Sequence, residues 1–594
     1  LIVNIFSANA TIRFVSKSGT STPPYTTWET AADSIQKAIN ISQFSDTIYV
    51  ANGIYKEQVI MIPGLSLIGA GLDSCIVDTK DLVTNSQYRA VQVADSCLFK
   101  GFHIIPYHNS DMAYGIYGLG CNYITENKVT NGIGGIYSGI YSTVFKNIIS
   151  GNRVEIYVFN SNATVRKNYI FHNGYQGGSG IHIEAFDFTY KPTIDSNYIE
   201  VNGGDGISNS IGSKPTITNN TILIKYAPEG IHLYIADSAK VFNNLIISVN
   251  GAGSGIFTNG VTMQAYNNYL TGDYFLDLIS MSPNNLVKNN IISNTSGNIS
   301  TYSTQNLLYK FNNIWNSEVT YSGFTRDTTN LSVDPMIVND DTTQDELDFH
   351  LQKYSPLIDK GDPVMLDKDS SRMDIGLFGG LYGEVYKYND LAPRAPRNLM
   401  AEVDTNLILV KWNRNTEADT AYYKVYRDTT VNFIVDSTKL ISSSTDTSFV
   451  QLPPYYNGKY VYKITCVDKQ GNESLPSLEV VVDLTSVSAD DYPVTISDYI
   501  LYQNYPNPFN PSTKIAYKLK ESGYVKLYVY DIKGELVSTL VNKEQDAGFY
   551  EIEFSSSSIQ HPVSSIIELA SGVYIYQLLV KSENNIPLFS EIKK

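Results

Sequence analysis

The chain has 594 residues and a formal net charge of −16. This length allows several domains with ample cores, and the negative charge argues against nucleic acid or an anionic membrane surface as a partner. Tyrosine is abundant at 45 residues while only 17% of the residues are charged. A surface of aromatic rings and amides suits the binding of sugars, although it is equally typical of strand-rich secreted proteins.

The first ten residues form an apolar run that closes on Ala8-Asn9-Ala10. The pattern is that of the end of a secretory signal peptide whose start is missing, with cleavage after Ala10. The alternative is an ordinary first strand. No other apolar run reaches the length that spans a membrane. We therefore expect residues 1–10 to be a signal remnant and the protein to be secreted without membrane insertion.

A helix is predicted over residues 26–39, where Thr26 and Glu29 are spaced as a capping box. Its apolar residues fall on one face at helical spacing: Trp28, Ala31, Ala32, Ile35, Ala38 and Ile39. A single helix ahead of a repetitive all-β region is typical of a cap that covers the open end of the core.

Two short phrases recur over residues 115–315. The first is an asparagine followed two residues later by an aliphatic residue, at Asn127, Asn147, Asn168, Asn197, Asn220, Asn244, Asn268, Asn290 and Asn313. The second is Gly-Ile, at Gly115, Gly135, Gly180, Gly206, Gly230 and Gly255. A fixed period of this size predicts a solenoid. The fold class is therefore all-β, a right-handed parallel β-helix over residues 11–383, in which Asn turns each corner with a left-handed backbone and stacks its amide on the next coil.

The segment from Asp46 to Gly71, with the predicted helix before it, resembles the opening of pectin-lyase-like β-helix proteins. This resemblance implies polysaccharide as the substrate class and lyase or glycoside hydrolase as the reaction class. Gly204-Asp-Gly-Ile-Ser208 is similar to one polygalacturonase motif, but the other motifs of that family are absent. The resemblance therefore transfers no catalytic residue.

The predicted solenoid ends in an acidic segment, residues 334–380. It contains five aspartates whose spacing suits Ca²⁺ ligation: Asp359, Asp362, Asp367, Asp369 and Asp374. Aspartate is also a common turn residue. Ca²⁺ is thus a possible ligand here, and turn formation is the simpler interpretation.

Two further domains are predicted after the solenoid. A stiff proline-containing linker, 384–396, precedes residues 397–484, where alternating strands surround Trp412 and a late tyrosine-rich strand. This region resembles a fibronectin type III domain, a module that usually acts as a spacer.

A second linker, 485–498, leads to residues 499–594. Four landmarks stand there: Tyr505–Thr513, Val525–Gly534, Ala547-Gly548 and Leu569–Tyr576. They resemble the C-terminal sorting domain of type IX secretion cargo, an Ig-like sandwich found in Bacteroidetes and their relatives. The resemblance implies export by the type IX secretion machinery to the surface or medium of a Gram-negative bacterium. Family members continue past the stretch that here reads Glu591–Lys594, so we expect this domain to be truncated.

A candidate site follows from the register of the Gly-Ile phrases. With the residue after each Gly-Ile facing outward, one polar patch is predicted across three coils: His182, Glu184, Asp205, Glu229, His232 and Tyr234. Asp205 and Glu229 would then lie about one strand spacing apart, ~5 Å. Such a pair can share a proton, act as acid and nucleophile, or hold a cation. Neighbouring carboxylates are expected to raise the pKa of both histidines. The alternative is an ordinary polar surface.

Two functions fit these observations. The first is a non-catalytic extracellular protein that binds glycans and is held out from the cell by its sandwich domains. The second is a polysaccharide lyase or glycoside hydrolase. The absence of a transferable motif set favours the first.

Overall fold

The computed structural model describes most of the chain. The described residues are 10–82, 89–107, 113–173, 178–226, 228–249, 253–272, 276–280, 284–301, 307–322, 325–341, 346–404, 407–451, 458–484, 499–502, 504, 512–546, 548–555, 572–582 and 587–593. They form two compact units, the first comprising residues 1–335, 349–351 and 355–388, and the second the remainder. The signal-peptide prediction falls almost wholly on residues 1–9, which lie outside the described residues.

The first unit is a right-handed parallel β-helix with three sheets along its length, as predicted. The first sheet consists of Ile12–Val15, Thr47–Val50, Ser66–Gly69, Leu98–Lys100, Tyr123–Thr125, Thr143–Phe145, Thr164–Arg166, Thr193–Asp195, Thr216–Thr218, Ser238–Phe242, Thr262–Tyr266, Leu286–Lys288 and Leu308–Lys310. The second sheet consists of Val59–Ile60, Arg89–Val93, Tyr114–Gly118, Gly134–Ser138, Val154–Phe159, Ser179–Glu184, Asp205–Asn209, Glu229–Tyr234, Gly253–Asn259, Leu276–Ser280, Ser296–Thr301 and Glu318–Ser322. The third sheet consists of Gly53–Tyr55, Cys75–Asp78, His103–Ile105, Lys128–Thr130, Ile148–Ser150, Tyr169–Asn173, Tyr198–Asn202, Thr221–Ile224, Leu245–Ser248, Tyr269–Gly272, Ile291–Ser293 and Asn313–Trp315.

The core is built from columns of aliphatic side chains that repeat once per coil. The isoleucine of the Gly-Ile phrase is one such column, paired in register and fully buried at Ile136, Ile156, Ile181, Ile207, Ile231 and Ile256. Because strand side chains alternate between faces, this column places the next residue of each strand on the outside. The core thereby sets the register of the outer surface of the second sheet.

The asparagine column is a continuous buried ladder. Each side-chain Nδ2 donates to the Oδ1 of the next asparagine at 2.9–3.2 Å, through Asn127, Asn147, Asn168, Asn197, Asn220, Asn244, Asn268, Asn290, Asn312 and Asn330. The stacking prediction is confirmed, with a correction at the end: the ladder continues through Asn312 and Asn330, and Asn313 is not a member.

We predicted that the ladder asparagine has the left-handed backbone at each corner. This prediction is wrong, because the left-handed residue is the one before the asparagine. Its φ is between +52° and +57° at Glu126, Lys146, Lys167, Ser196, Asn219, Asn243, Asn267, Asn289 and Phe311. The ladder asparagine is therefore selected for its amide, which donates and accepts at once, rather than for its backbone freedom.

The Gly-Ile phrase has a separate physical cause. A Cβ on Gly206 would lie 2.5 Å from the carbonyl oxygen of Gly230 and 2.7 Å from a methyl of Ile222. Real Cβ atoms do not approach other atoms so closely. Glycine is thus needed where successive coils of the second sheet come into close backbone contact.

The predicted helix is much shorter than expected. The α-helix spans only Ile35–Asn40, and Ser34 is its N-cap. The predicted capping box of Thr26 and Glu29 is wrong, because Ala32 pairs its backbone with Phe14 and Ser16 instead of entering the helix. The first-turn N–H groups of Ile35 and Gln36 donate to the carboxylate of Glu57 at 2.9 and 3.0 Å. In the described part of the chain, no helix combines the length and apolarity needed to cross a membrane.

The later part of the acidic segment, residues 355–380, belongs to the first unit and packs along the solenoid. Asn243 and Asn267, both left-handed corner residues, donate their amide N–H groups to the backbone carbonyls of Gly379 and Asp374. Asn289, also a corner residue, accepts the N–H of Asp362 at 2.9 Å. The corner asparagines therefore have a role of their own, which is to hold this segment in place.

The second unit contains antiparallel sheets. Its first group has sheets of three and four strands, Met400–Asp404, Leu407–Lys411 and Ser448–Gln451, then Leu440–Ser444, Thr420–Asp428, Lys459–Asp468 and Val480–Asp483. Its second group has sheets of three and four strands, Ile500–Leu501, Thr513–Leu519 and Gly548–Phe554, then Leu536–Gln545, Gly523–Tyr530, Ile575–Lys581 and Pro587–Lys593. Two short strands, Ile337–Asn339 and Asp348–Leu351, precede these groups in the chain.

The predicted antiparallel domains are thus confirmed, and Trp412 is buried in the core of the first group, as expected. The fibronectin type III and sorting-domain identities remain predictions. Of the sorting landmarks, residues 505–511, 547 and 569–571 lie outside the described residues.

Candidate functional site

The predicted outward column exists on the second sheet. Parallel pairing brings Tyr157 beside His182, His182 beside Ser208, Ser208 beside His232, and His232 beside Phe257. A second column lies three residues earlier in the same strands, where Ser179 pairs with Asp205 and the same register brings Asp205 next to Glu229. The two columns together form a polar strip across the coils.

A groove of about 760 Å³ opens over this strip. Its lining includes charged, amide and aromatic side chains, among them His182, Asp205, Ser208, Asn209, Tyr226, Glu229, His232, Tyr234, Phe257 and Asn259. Tyr234 is 42% exposed, and it stands at the margin of the patch as predicted. Tyr226 also contributes, and the repeat pattern did not indicate it because this residue follows a strand of the third sheet.

Three of the predicted residues meet at one point of the groove. The Nδ1 atom of His232 is 3.2 Å from Oδ2 of Asp205 and 3.8 Å from Oε2 of Glu229. All three side chains are largely but not fully buried, with 16–29% of their surface exposed. Within the described residues, they are the one trio of His, Cys, Asp or Glu whose ligand atoms all lie within 4.8 Å of each other.

Two groups of this trio, Glu229 and His232, have raised pKa values. Burial, a hydrogen bond with Asp205 and the negative charge of Asp205 together raise the pKa of Glu229 to about 7. The hydrogen bond to Asp205 also raises the pKa of His232, against the effect of burial. Glu229 therefore keeps its proton, in a hydrogen bond with Asp205, at a pH where an ordinary glutamate is ionised.

His182 lies in different surroundings. Its Nδ1 atom is 2.7 Å from Ser208 Oγ, and its Nε2 atom is 3.7 Å from Glu184 Oε2. Burial lowers the pKa of His182, outweighing the opposing effect of Glu184 and Asp205. The prediction that both histidines gain basicity is therefore wrong for His182, because desolvation of the imidazolium exceeds the attraction of the nearest carboxylates.

Glu184 contacts Tyr157 and His182 beside the groove. It accepts the hydroxyl proton of Tyr157 at 2.5 Å, and the ring of Tyr157 is parallel to that of His182 with centroids 5.3 Å apart. The predicted patch therefore contains a trio of Asp205, Glu229 and His232 and, apart from it, a pair of His182 and Glu184 that packs against Tyr157. Ser208 stands between them.

Four of the five aspartates of the acidic segment hold turns or packing contacts with their carboxylates. Asp362 forms a 2.6 Å ion pair with Lys288, and Asp369 accepts the hydroxyl and N–H of Ser371. Asp374 accepts the N–H of Asp359 and the hydroxyl of Tyr388, each at 2.8 Å, and burial raises the pKa of Asp374 to about 6.

Asp367, the remaining acidic acceptor, accepts the N–H of Asp374 at 2.9 Å and that of Gly380. Across the described residues 346–404, no three of these carboxylates converge as a metal-ligand group. Their hydrogen bonds match the turn-forming role, and Ca²⁺ ligation by these residues stays a prediction.

A cation could instead be held by the trio in the groove. A ring nitrogen and two carboxylate oxygens are donors that divalent transition metals accept. Separations of 3.2 and 3.8 Å from the nitrogen to the oxygens suit ligands about 2.0–2.2 Å from one ion.

Comparison with known proteins supports the fold. Residues 83–222 match the family model described as "Right handed beta helix region". No curated protein matches the chain. Among solved structures, the spore cortex lytic enzyme SleM of Clostridium perfringens is 22% identical over 15% of this chain and 28% of its own, with a TM-score of 0.13.

Two further structures are similar over limited regions. Chitinase ChiA74 from Bacillus thuringiensis is 13% identical over 36% of this chain and 30% of its own, with a TM-score of 0.17. The third fibronectin III domain of human KIAA0343 is 16% identical over 19% of this chain and all of its own, with a TM-score of 0.14. At these TM-scores no activity is transferred from any of them.

The raised pKa of Glu229 has a measurable consequence. Because the pKa of Glu229 is about 7 in the folded protein, against 4.5 for an ordinary glutamate, this group stabilises the fold fully below pH ~4.5, and its contribution is lost as the pH rises through about 7. We expect a carboxyl resonance of ¹³C-labelled protein to titrate near neutral pH and to disappear in Glu229→Gln. In Asp205→Asn the same resonance should titrate at lower pH. A Glu229 titration that is unchanged by Asp205→Asn would contradict the role of the hydrogen bond with Asp205.

Proposed function

We propose that this chain is a secreted β-helix protein that binds an extracellular polysaccharide in the groove on the second sheet. The observation that carries the proposal is the convergence of Asp205, Glu229 and His232 in a groove that also exposes Tyr226 and Tyr234. Carboxylates and imidazoles bind sugar hydroxyls, and exposed tyrosine rings contact the apolar faces of sugar rings.

The repetitive surface of the solenoid favours an extended ligand. Each coil repeats the same outward positions one strand spacing further along the solenoid, ~4.8 Å per coil. The groove draws its side chains from the strands Ser179–Glu184, Asp205–Asn209, Glu229–Tyr234 and Gly253–Asn259, which are successive neighbours in the sheet. A site spread over several coils in this way fits several sugar units of a chain.

Substitution of the carboxyl pair tests the proposal. Asp205→Asn and Glu229→Gln are expected to weaken binding at least ~10-fold, because each removes a charged hydrogen-bond partner worth about 1.5–3 kcal/mol. The thermal unfolding midpoint should change by less than ~2 °C, since neither side chain belongs to the buried core cluster.

A matched control is available in Glu126, an exposed glutamate whose partner is Lys100 at 3.0 Å. Glu126→Gln should bind as the parent does. Binding would be measured by calorimetry with a panel of neutral, acidic and amino-bearing oligosaccharides. If no member of the panel binds the parent, or if the two groove variants bind every ligand like the parent, the groove is not a glycan site.

A second candidate function is hydrolysis of the bound polysaccharide. It is favoured by Glu229, whose pKa of about 7 lets its carboxyl act as a general acid near neutral pH, and by the second carboxyl of Asp205 beside it, which supplies the pair that hydrolysis needs. Release of new reducing ends from a bound polymer, abolished by either substitution, would establish this activity. Binding without release would leave the protein as a glycan-binding one.

We further propose export by the type IX secretion machinery of a Bacteroidetes-like bacterium, with the protein ending outside the outer membrane. Support comes from the sequence landmarks of residues 499–594. A reporter fused to this region, followed by the C-terminal tail of a type IX cargo protein, should reach the surface or medium of a type IX-competent host. The same fusion should stay inside a host lacking the machinery. Retention of the reporter in the periplasm of both hosts would contradict the proposal.

A further inference from the structure

We infer that the groove selects glycans whose sugar units carry protonated amino groups. This inference rests on the proposed function and names the ligand class for the same groove. Its first support is the charge of the lining, in which Asp205 and Glu229 are the carboxyl groups. Among the lining residues that the structure describes, there is no lysine and no arginine.

The nearest lysines along the chain do not offset these carboxyl groups. Lys225, which comes just before Tyr226, pairs with Glu200 on the third sheet at 2.7 Å. Lys214 pairs with Asp237 at 2.8 Å. Each of these cations is already neutralised by another carboxylate, so the counter-charge for the groove is left to His232 or to the ligand.

The trio is built so that a ligand cation can replace a proton. His232 Nδ1 is 3.2 Å from Asp205 Oδ2 and 3.8 Å from Glu229 Oε2, and the ligand atoms of the three side chains all lie within 4.8 Å of one another. An ammonium group has three donors on a compact centre, and one oxygen of each carboxylate together with the imidazole nitrogen supplies three acceptors once the trio has released its protons to the solvent. Charge-assisted hydrogen bonds of this kind are about twice as strong as neutral ones.

Aromatic groups complete the selection. Tyr226 and Tyr234 are 61% and 42% exposed at the groove, and the face of an exposed tyrosine ring attracts a cation. The same rings contact sugar faces of any kind, so they provide affinity for the sugar chain, whereas the carboxyl pair distinguishes its charge.

The same arrangement disfavours acidic glycans. A uronate carboxylate placed against Asp205 and Glu229 meets like charge in a partly buried site, where repulsion is screened less than in water. A uronate-binding groove would also need arginine or lysine to pair with the ligand. The groove therefore discriminates by repulsion as well as by attraction.

Two oligosaccharides that differ only in the amino group provide the test. Glucosamine and N-acetylglucosamine oligomers of equal length share their sugar rings and linkages, but only the first is cationic. Calorimetry on the full chain below neutral pH, with chelator present, is expected to show at least ~10-fold tighter binding of the glucosamine oligomer. The preference should shrink as salt is added, because it is electrostatic.

The variants refine the result. Asp205→Asn and the double variant with Glu229→Gln are expected to remove the preference while leaving weak binding of the acetylated oligomer, and Glu126→Gln should retain the full preference. Binding of the glucosamine oligomer should release protons, which is measured as a dependence of the heat on buffer ionisation. This release should fall in the double variant.

Three outcomes would overturn the inference. Equal binding of the two oligomers would show that the groove ignores the amino group, and the proposed glycan binding would still stand. Tighter binding of a uronate oligomer would show the opposite charge preference, again without removing glycan binding. A preference that appears only when Zn²⁺ or Ca²⁺ is added would show that the carboxyl pair holds a metal ion rather than the sugar.

Discussion

Replacement of Asn220 by alanine is expected to lower the free energy of unfolding of the solenoid by about 3–5 kcal/mol, at ~1–3 kcal/mol for each buried polar group left without a partner. Asn220 donates to Asn244 Oδ1 at 2.9 Å and to the carbonyl of Ile194 at 3.0 Å. Its own Oδ1 accepts both the backbone and the side-chain N–H of Asn197, each at 2.9 Å. Alanine supplies none of these four contacts.

A second substitution tests whether the lost stability comes from the hydrogen bonds of Asn220. Asn220→Asp keeps the shape and the acceptor oxygen, but it replaces the donor that faces Asn244 Oδ1 and the carbonyl of Ile194. It should therefore be at least as damaging as alanine near neutral pH. If Asn220→Asp were tolerated, the ladder would not depend on alternating donors and acceptors.

Asn162 offers a matched control for the ladder. Its side chain accepts a single exposed N–H, that of Lys191, at 2.6 Å. Asn162→Ala should cost no more than ~1 kcal/mol. Denaturant unfolding, followed by a signal from the solenoid, would compare the three variants. A cost for Asn220→Ala no larger than that for Asn162→Ala would contradict a stabilising role for the ladder.

Gly206→Ala is expected to destabilise the solenoid by about 1–3 kcal/mol, the usual cost of adding a methylene to a fully packed site. The added Cβ would meet the backbone of Gly230 at 2.5 Å, and backbone on the adjacent coil cannot rotate away as a side chain can. The strands Asp205–Asn209 and Glu229–Tyr234 would have to separate locally. Because both strands carry groove residues, ligand binding should weaken together with stability.

The control for this substitution is Thr216→Ala in the first sheet, a half-buried position where atoms are removed rather than added. We expect a change within ~0.5 kcal/mol. Thermal unfolding of the two variants gives the comparison. If Gly206→Ala were as stable as the parent, the Gly-Ile phrase would owe its recurrence to something other than close packing of the coils.

The site shows where prediction from the sequence succeeded and where it did not. The period of the Gly-Ile phrase was enough to align Asp205, Glu229, His182 and His232 on one face, because parallel in-register coils turn sequence spacing directly into position. It could not show that His182 is held by Ser208 and Glu184 in a desolvated position. Desolvation depends on everything packed around a side chain, and no local pattern records it.

The short helix illustrates a second limit. Residues 26–39 have a valid capping pattern and an apolar face, yet the first part of this stretch pairs with the strand Ile12–Val15, and the N-terminal N–H groups of the helix are satisfied by Glu57. The local pattern assigned the capping carboxylate to Glu29, but Glu57, more than twenty residues further along the chain, supplies it. Apolar periodicity still identified the buried residues, since Ala31, Ala32, Ile35, Ala38 and Ile39 are all buried.

The sequence by itself determined the all-β solenoid, the buried isoleucine column and the face on which the site lies, because a repeated coil buries its apolar residues only against identical neighbours. Tertiary structure alone decided three other matters. These are which residue of each corner is left-handed, that the corner asparagines hold the acidic segment, and how protons are divided among Asp205, Glu229 and His232. All three depend on distances between atoms far apart in the chain, which periodicity constrains only to the nearest coil.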